Sequence, residues 1–343
     1  MKRAAWLSVI ALGLAVFVAV LVSWRVERFM DTPLAVPTDG VALTVAPGMS
    51  FSRVTAQLID LELIDDDRWY RLYARVSGDA SDVHAGDYTI DPGATPRSLL
   101  DKLTRGSVRL YSFTIIEGWN QYDLLRALHA SDWIDATLTD EDWPALLSEL
   151  GADVMHPEGL FLPETYRFPR GTSDREVLAE AYRLLRQVLD EEWPKRDETS
   201  PVSTPYEAIV LASIIEKETA RADERARISG VFARRLQKRM RLQTDPTVIY
   251  GIGPQFNGNL TRADLRRDTP YNTYTRFGLP PTPIAMPGRA AIRAALNPAP
   301  GNELFFVATG LGDGSHAFSA TKEEHDAAVA EYLKRLRRNR QGS

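Results

Sequence analysis

From Ala4 to Trp24 the chain carries no charged residue and is rich in Ala, Val and Leu. No other segment constrains the fold as strongly. A helix of that length covers roughly 30 Å at 1.5 Å per residue, the thickness of a bilayer core. A cleaved signal peptide is the alternative. Its apolar region would be shorter and would end in a small-residue cleavage site, whereas Trp24 and Arg25 come next here, and Trp suits the membrane interface. The pattern predicts an uncleaved transmembrane anchor over residues 1–30, including a short cytoplasmic stub. Lys2 and Arg3 precede the span while Arg25 and Arg28 succeed it, so the charge bias is weak. A span this close to the N-terminus most often exports the remainder of its chain. The absence of Cys fits an oxidising space, although many cytosolic chains also have none.

At 343 residues the chain exceeds one compact domain, so two folded units behind the anchor are expected. Asp31 to Gly40, with Pro33 and Pro37, reads as a linker. A short strand–turn–helix pattern then recurs. Val45 to Ser50 leads to Val54 and Leu58, Ile90 to Thr95 leads to Leu99, Leu100 and Leu103, and Ile115 to Asn120 leads to Leu124, Leu125 and Leu128. Each turn holds Gly and places Ser, Thr or Asn where a helix needs an N-cap. The first two units, with Ala85-Gly86-Asp87-Tyr88 between them, resemble LysM-type modules, which bind N-acetylglucosamine polymers. A fold-only module without sugar binding is the other reading. Ser173 to Trp193 reads as a long amphipathic helix. The main boundary is placed between about 130 and 155, giving a linker and LysM-like module over 31–145 and a second domain over 146–343.

Tyr206 to Thr219 has the helix period, with Pro205 suited to the first turn. At 100° per residue, Ala208, Leu211, Ile214 and Ile215 form one stripe, and Glu218 falls near its centre while Glu216 points almost oppositely. Burial raises a carboxyl pKa, and a carboxylic acid still protonated near neutral pH is what acid-catalysed glycosidic cleavage needs. A helix-end Glu that merely emerges and pairs with Lys or Arg would give the same pattern. A second, charged helix is expected over Arg221 to Met240, its stripe made by Ile228, Val231, Phe232 and Leu236. The loops after it concentrate amides, hydroxyls and tyrosines between prolines: Gln243, Thr244, Asp245 and Tyr250, then Tyr271, Asn272 and Tyr274. Sugars are held by flat rings and fixed polar groups of this sort, but well-satisfied turns have the same composition.

Ile214-Ile-Glu216-Lys-Glu218-Thr219, Leu242-Gln-Thr-Asp-Pro-Thr-Val-Ile-Tyr-Gly251 and Tyr271-Asn-Thr-Tyr-Thr275 resemble the signatures of the YceG family of endolytic murein transglycosylases. So do Gly159-Leu-Phe-Leu-Pro-Glu-Thr-Tyr166 and the Gly278-Leu-Pro-Pro281 turn. The similarity runs from the anchor to the C-terminal helix. It implies an α+β chain: a transmembrane helix, a LysM-like α+β module, and a mixed α+β catalytic domain with the catalytic glutamate on a buried helix. In that family the second glutamate of the Glu-Lys-Glu pair is catalytic, which is Glu218 here. Substrate binding is then expected from Gln243, Thr244, Asp245, Tyr250, Tyr271, Asn272, Tyr274 and Glu164.

The implied reaction is non-hydrolytic cleavage of the MurNAc–GlcNAc β-1,4 bond of nascent strands. Glu218 acts as acid and then as base, the C6 hydroxyl attacks C1, and a 1,6-anhydro end terminates the strand. No cofactor is implied. The resemblance places the protein at the inner membrane with its bulk in the periplasm, beside peptidoglycan synthases. Two rival readings remain: a hydrolytic muramidase using Glu216, Asp245 or Glu164 as second carboxylate, and a non-catalytic tethered peptidoglycan-binding scaffold.

Other chemistries find little support. The five histidines show no metal-ligand spacing. The net charge of −5 gives no footprint for nucleic acid. Gly310-Leu-Gly312-Asp-Gly314 after the run Leu304 to Ala308 suits a hairpin turn into His316-Ala-Phe318 better than a nucleotide loop. Thr321 and Glu324 make a capping box for the last helix.

Overall fold

The computed structural model describes residues 2–341. The chain forms two compact units. The smaller comprises residues up to Tyr111 with Arg167–Gly171, and the larger comprises Ser112–Tyr166 with the residues from Thr172 onward.

The smaller unit begins with α1 (Lys2–Asp31). Its segment Val9–Asp31 is long and apolar enough to cross a membrane, and the side chains from Trp6 to Trp24 are mostly exposed. The last turns differ. Val26 and Met30 are buried in the core of the unit, and Leu34 joins them. The expected linker is therefore docked: the Leu34 amide donates to the Ala94 carbonyl at 2.8 Å and Ala35 to Leu63 at 3.4 Å. β1 (Val41–Val45) pairs antiparallel with β2 (Gly86–Ile90), Leu43 opposite Tyr88, and between them lie α2 (Phe51–Asp60) and α3 (Arg68–Ser77). Alternate strand residues Leu43, Val45, Tyr88 and Ile90 turn inward, as the period of two requires. α4 (Pro96–Thr104) comes next, its Thr95 cap and Ser98 bonding reciprocally, and buries Leu99, Leu100 and Leu103.

In the larger unit β3 (Tyr111–Thr114) leads into α5 (Gln121–His129), capped by Asn120. Next come β4 (Ile134–Asp135), α6 (Trp143–Glu149), β5 (Thr165–Phe168), which pairs with β3, and β6 (Thr172–Ser173), which pairs parallel with β4. The third strand–turn–helix unit thus belongs with the C-terminal part, and the division falls near residue 111 and not near 145. Its backbone shows why. Ile115 donates to the Glu164 carbonyl at 3.0 Å, Gly118 to Met286 at 2.9 Å, and Met286 back to Trp119 at 2.7 Å.

α7 (Asp174–Glu192) starts at the Ser173 cap, with Glu176 closing the capping box. α8 (Pro205–Glu218), α9 (Arg225–Gln237), α10 (Asp245–Ile252), α11 (Arg262–Arg266) and α12 (Arg289–Leu296) succeed it. α8 packs on α12, α9 and α10. β7 (Phe305–Ala308) and β8 (His316–Ser319) form the expected antiparallel hairpin, and α13 (Lys322–Gln341) starts on reciprocal bonds between Thr321 and Glu324.

Candidate active site

Thr204 caps α8 by accepting the Glu207 amide at 3.1 Å, and Pro205 opens its first turn. Every residue from Ala208 to Ile215 is buried, so this helix is enclosed on all sides and has no single apolar stripe. Ser213 fits inside because its hydroxyl donates to the Val210 carbonyl (2.7 Å) and accepts the Ile284 amide (3.0 Å). The helix stops at Glu218 because Thr219 turns to extended backbone, φ −148° and ψ 134°.

The two glutamates are both covered, contrary to the opposite exposures expected from the sequence. Glu216 accepts the Gly288 amide at 3.0 Å and pairs with Arg225 at 3.2 Å, both side chains largely buried. Arg225 also reaches Glu117 at 3.5 Å. A Cβ at Gly288 would meet the Glu117 carboxyl at 1.9 Å, so a side chain there would have to displace that half-exposed carboxylate. Burial raises the Glu216 pKa, and the Gly288 amide and Arg225 pull it back.

Glu218 has no such cation partner among the described residues. Burial pushes its carboxyl up to about 7; the Thr244 hydroxyl, which donates to Oε1, opposes this, the Asp245 carboxylate adds to it, and His316 opposes it. Its place at a helix C-terminus, the negative end of the dipole, also disfavours the carboxylate. The residue keeps partial access to solvent through a cavity of about 440 Å³ lined by Gln243, Asp245, Tyr274, Arg235 and Phe306.

A strap over 241–244 holds Thr244 in position. Arg235, itself buried, donates to the carbonyls of Leu242 (2.9 Å), Arg241 (3.1 Å) and Leu304 (2.6 Å). Gln243 takes the left-handed conformation at φ 54°, a strained choice for a residue with a side chain, and its amide donates to the Thr273 carbonyl at 3.1 Å. The Thr244 amide donates to Thr273 Oγ1 at 3.1 Å, and Thr247 bridges Thr273 (2.9 Å) and the Thr244 carbonyl (2.7 Å). Asp245 accepts the Tyr274 hydroxyl at 2.5 Å. Gln243, Thr244, Asp245 and Tyr274 therefore converge on Glu218.

The remaining sequence candidates lie elsewhere. Tyr250 and Tyr271 touch edge-on, 4.9 Å between ring centres, and Tyr271 bonds Thr282 at 2.9 Å. Asn272 is buried and donates its amide to three carbonyls, the shortest 2.7 Å to Arg267, so it shapes its loop. Glu164 is exposed on the turn into β5, bonded to the next amide. The stretch expected as a loop after Met240 is helical from Asp245, because Pro246 in the first turn has no amide to leave unsatisfied.

The sequence reading gives no role to Glu158, nor to a pairing of His316 with Glu224. Glu158, fully buried between Pro157 and Gly159, accepts the Gln121 amide at 3.1 Å; burial pushes it up to about 7, opposed by that amide and by the Tyr250 hydroxyl. Gly159 adopts φ 77°, and a Cβ there would sit 2.5 Å from Pro283. His316 and Glu224 form a buried pair, Nδ1 to Oε2 at 2.7 Å, with the His316 amide on Oε1 at 2.9 Å. Only long-range packing creates either arrangement, and no local pattern marks them.

The sequence matches the YceG-like family model over residues 43–331. An endolytic murein transglycosylase of Bacillus subtilis (strain 168) is 30% identical over 310 residues, covering 85% of this chain and 85% of that one. One from Streptococcus pneumoniae serotype 2 is 27% identical over 328 residues and again covers 85% of this chain, which spans 58% of that protein. A solved YceG-like structure from Listeria monocytogenes, 26% identical, covers 85% of this chain and 99% of its own, with a TM-score of 0.49. Spanning most of the sequence, the family match settles the classification: the chain belongs to the YceG-like family.

Proposed function

We propose that the protein is a membrane-anchored endolytic murein transglycosylase that cleaves the MurNAc–GlcNAc β-1,4 bond. One observation carries the assignment of Glu218. It is a carboxylic acid held protonated up to about pH 7 by burial, with one hydroxyl donor, at the wall of an open cavity. Glu218 protonates the bridging oxygen as the C1–O4 bond breaks. The resulting carboxylate takes the proton of the C6 hydroxyl as that oxygen bonds to C1, which leaves a 1,6-anhydro ring and returns Glu218 to its acid form. No water is consumed, and the intramolecular hydroxyl supplies the proximity. Gln243, Thr244, Asp245 and Tyr274 are assigned to the strand at this cavity, and Tyr250 and Tyr271 to its neighbourhood.

A hydrolytic muramidase is the second reading, favoured by Asp245 beside Glu218. Mass spectrometry of digested sacculi separates the two. Anhydro ends support the transglycosylase, and reducing MurNAc ends without them overturn it. The exposed apolar length of α1 supports a membrane anchor. The proposal further puts the bulk of the chain in the periplasm at the inner membrane, beside peptidoglycan synthases whose nascent strands it would terminate. The strand–helix–helix–strand arrangement of the smaller unit supports the LysM-like assignment.

A further inference from the structure

A second cavity of the larger unit, about 380 Å³, adjoins the first along two chain segments. Lys217, one residue before Glu218, lines it, as does Pro246, one residue after Asp245. Consecutive helix residues point about 100° apart, so Lys217 serves this cavity while Glu218 serves the other. α10 spans the distance between them. Its N-terminus stands at Glu218, and Tyr250, about 7 Å along the axis at 1.5 Å per residue, lines the second cavity. Tyr122 of α5, itself substantially exposed, adds a second ring.

Two cations stand at this cavity without a strong anionic partner. The Lys217 ammonium donates to the Gly118 carbonyl at 3.1 Å and makes no ion pair among the described residues. Arg126, three-quarters exposed, reaches Asp123 only at 3.4 Å. Asp123 also accepts the Asn120 amide in the capping box of α5. Two guanidinium or ammonium groups against one committed carboxylate leave room for an anionic ligand, and the rings offer it an apolar wall.

We infer that this cavity receives the carboxylate-bearing peptide stem of the glycan strand held at Glu218, so that the protein selects peptide-substituted over bare strands. The inference rests on the proposed function for the position of the strand. A bare strand would offer these cations only the lactyl carboxylate that each stripped muramic acid keeps close to its ring, whereas a stem carries its carboxylates farther out, where two separate cations can be answered together.

The test compares kcat/KM on glycan strands that carry their stems with strands stripped by an amidase. The full-length protein is set beside Lys217→Gln, Arg126→Gln and Tyr122→Ala. A preference of about tenfold for stem-bearing strands, collapsing towards equality in the charge variants, is expected from the loss of charge-assisted bonds. Equal rates on both substrates in the parent protein, or a preference that survives both charge variants, overturns the inference. Arg126 is exposed enough that its variant folds even if Lys217→Gln does not. Equilibrium binding of the same two glycans to the Glu218→Gln protein reads the preference without turnover. If the parent cleaves neither substrate, the proposed function fails while this binding comparison still decides the peptide site.

Discussion

Glu158 and Glu218 are both carboxylic acids that burial pushes up to about 7, yet their surroundings differ in kind. Glu158 is sealed, held by the amide of Gln121 at the start of α5 and by the Tyr250 hydroxyl. Glu218 ends a helix at the wall of a cavity, with a threonine hydroxyl on one oxygen and carboxylate and imidazole neighbours. Glu216, two residues before Glu218, completes the contrast: its side chain is largely covered too, but fixed by a guanidinium and an amide. Burial tunes all three. Access and the lack of a permanent cation separate the one that can exchange a proton with a ligand.

That distinction can be broken most severely at Glu218. Glu218→Gln should lower turnover on sacculi by roughly a thousandfold or more, the scale of a positioned general acid, while the melting temperature stays at or above that of the parent. Comparable loss in Glu158→Gln would erase the difference between the two acids. The next largest effect is on stability. Arg225→Ala leaves Glu216 buried without its partner and should cost about 3 kcal/mol in denaturant unfolding.

For Glu158 the expected effect depends on pH. Its folded pKa lies above the ordinary carboxyl value, so the native state binds more protons than the unfolded one between about 4.5 and about 7. Stability should therefore fall as pH rises through that window. Glu158→Gln should remove up to a few kcal/mol of the decline, read from unfolding curves at several pH values. The smallest effects sharpen the picture at Glu218. Activity should decline as pH rises through about 7, where the acid deprotonates. Thr244→Val removes a donor to the carboxylate and should move that limb to higher pH. Asp245→Asn removes a like charge and should move it to lower pH, each by up to about one pH unit in the kcat/KM profile.

Much of the scaffold was legible because its signals are local. Thr95, Asn120, Ser173 and Thr321 each cap the helix their sequence context announces. The hairpin from Phe305 to Ser319 is announced by its glycine-rich turn. The wheel projection of α8 singles out Glu218 for an insufficient reason, since that helix is enclosed on every side and Glu216 is buried too. What differs is the partners: Arg225 comes from the start of the next helix, and Thr244 and Gly288 from segments 26 and 72 residues away. Asp245-Pro246 carried a helix-start signal outweighed by the polar character of the stretch around it. Glu158 had no signal at all, because a single Glu between Pro and Gly is ordinary loop composition until Gln121 and Tyr250 close over it.

The course of α1 has a mechanical meaning. The same helix that offers Trp6 to Trp24 to its surroundings ends with Val26 and Met30 locked into the core of the smaller unit, and Leu34 and Ala35 are pinned immediately after it. The helix runs unbroken from Lys2 to Asp31 into that docked end. In a bilayer, the tilt of this helix would set the attitude of the smaller unit over the lipid surface, and lipid thickness would be felt as a change in that attitude.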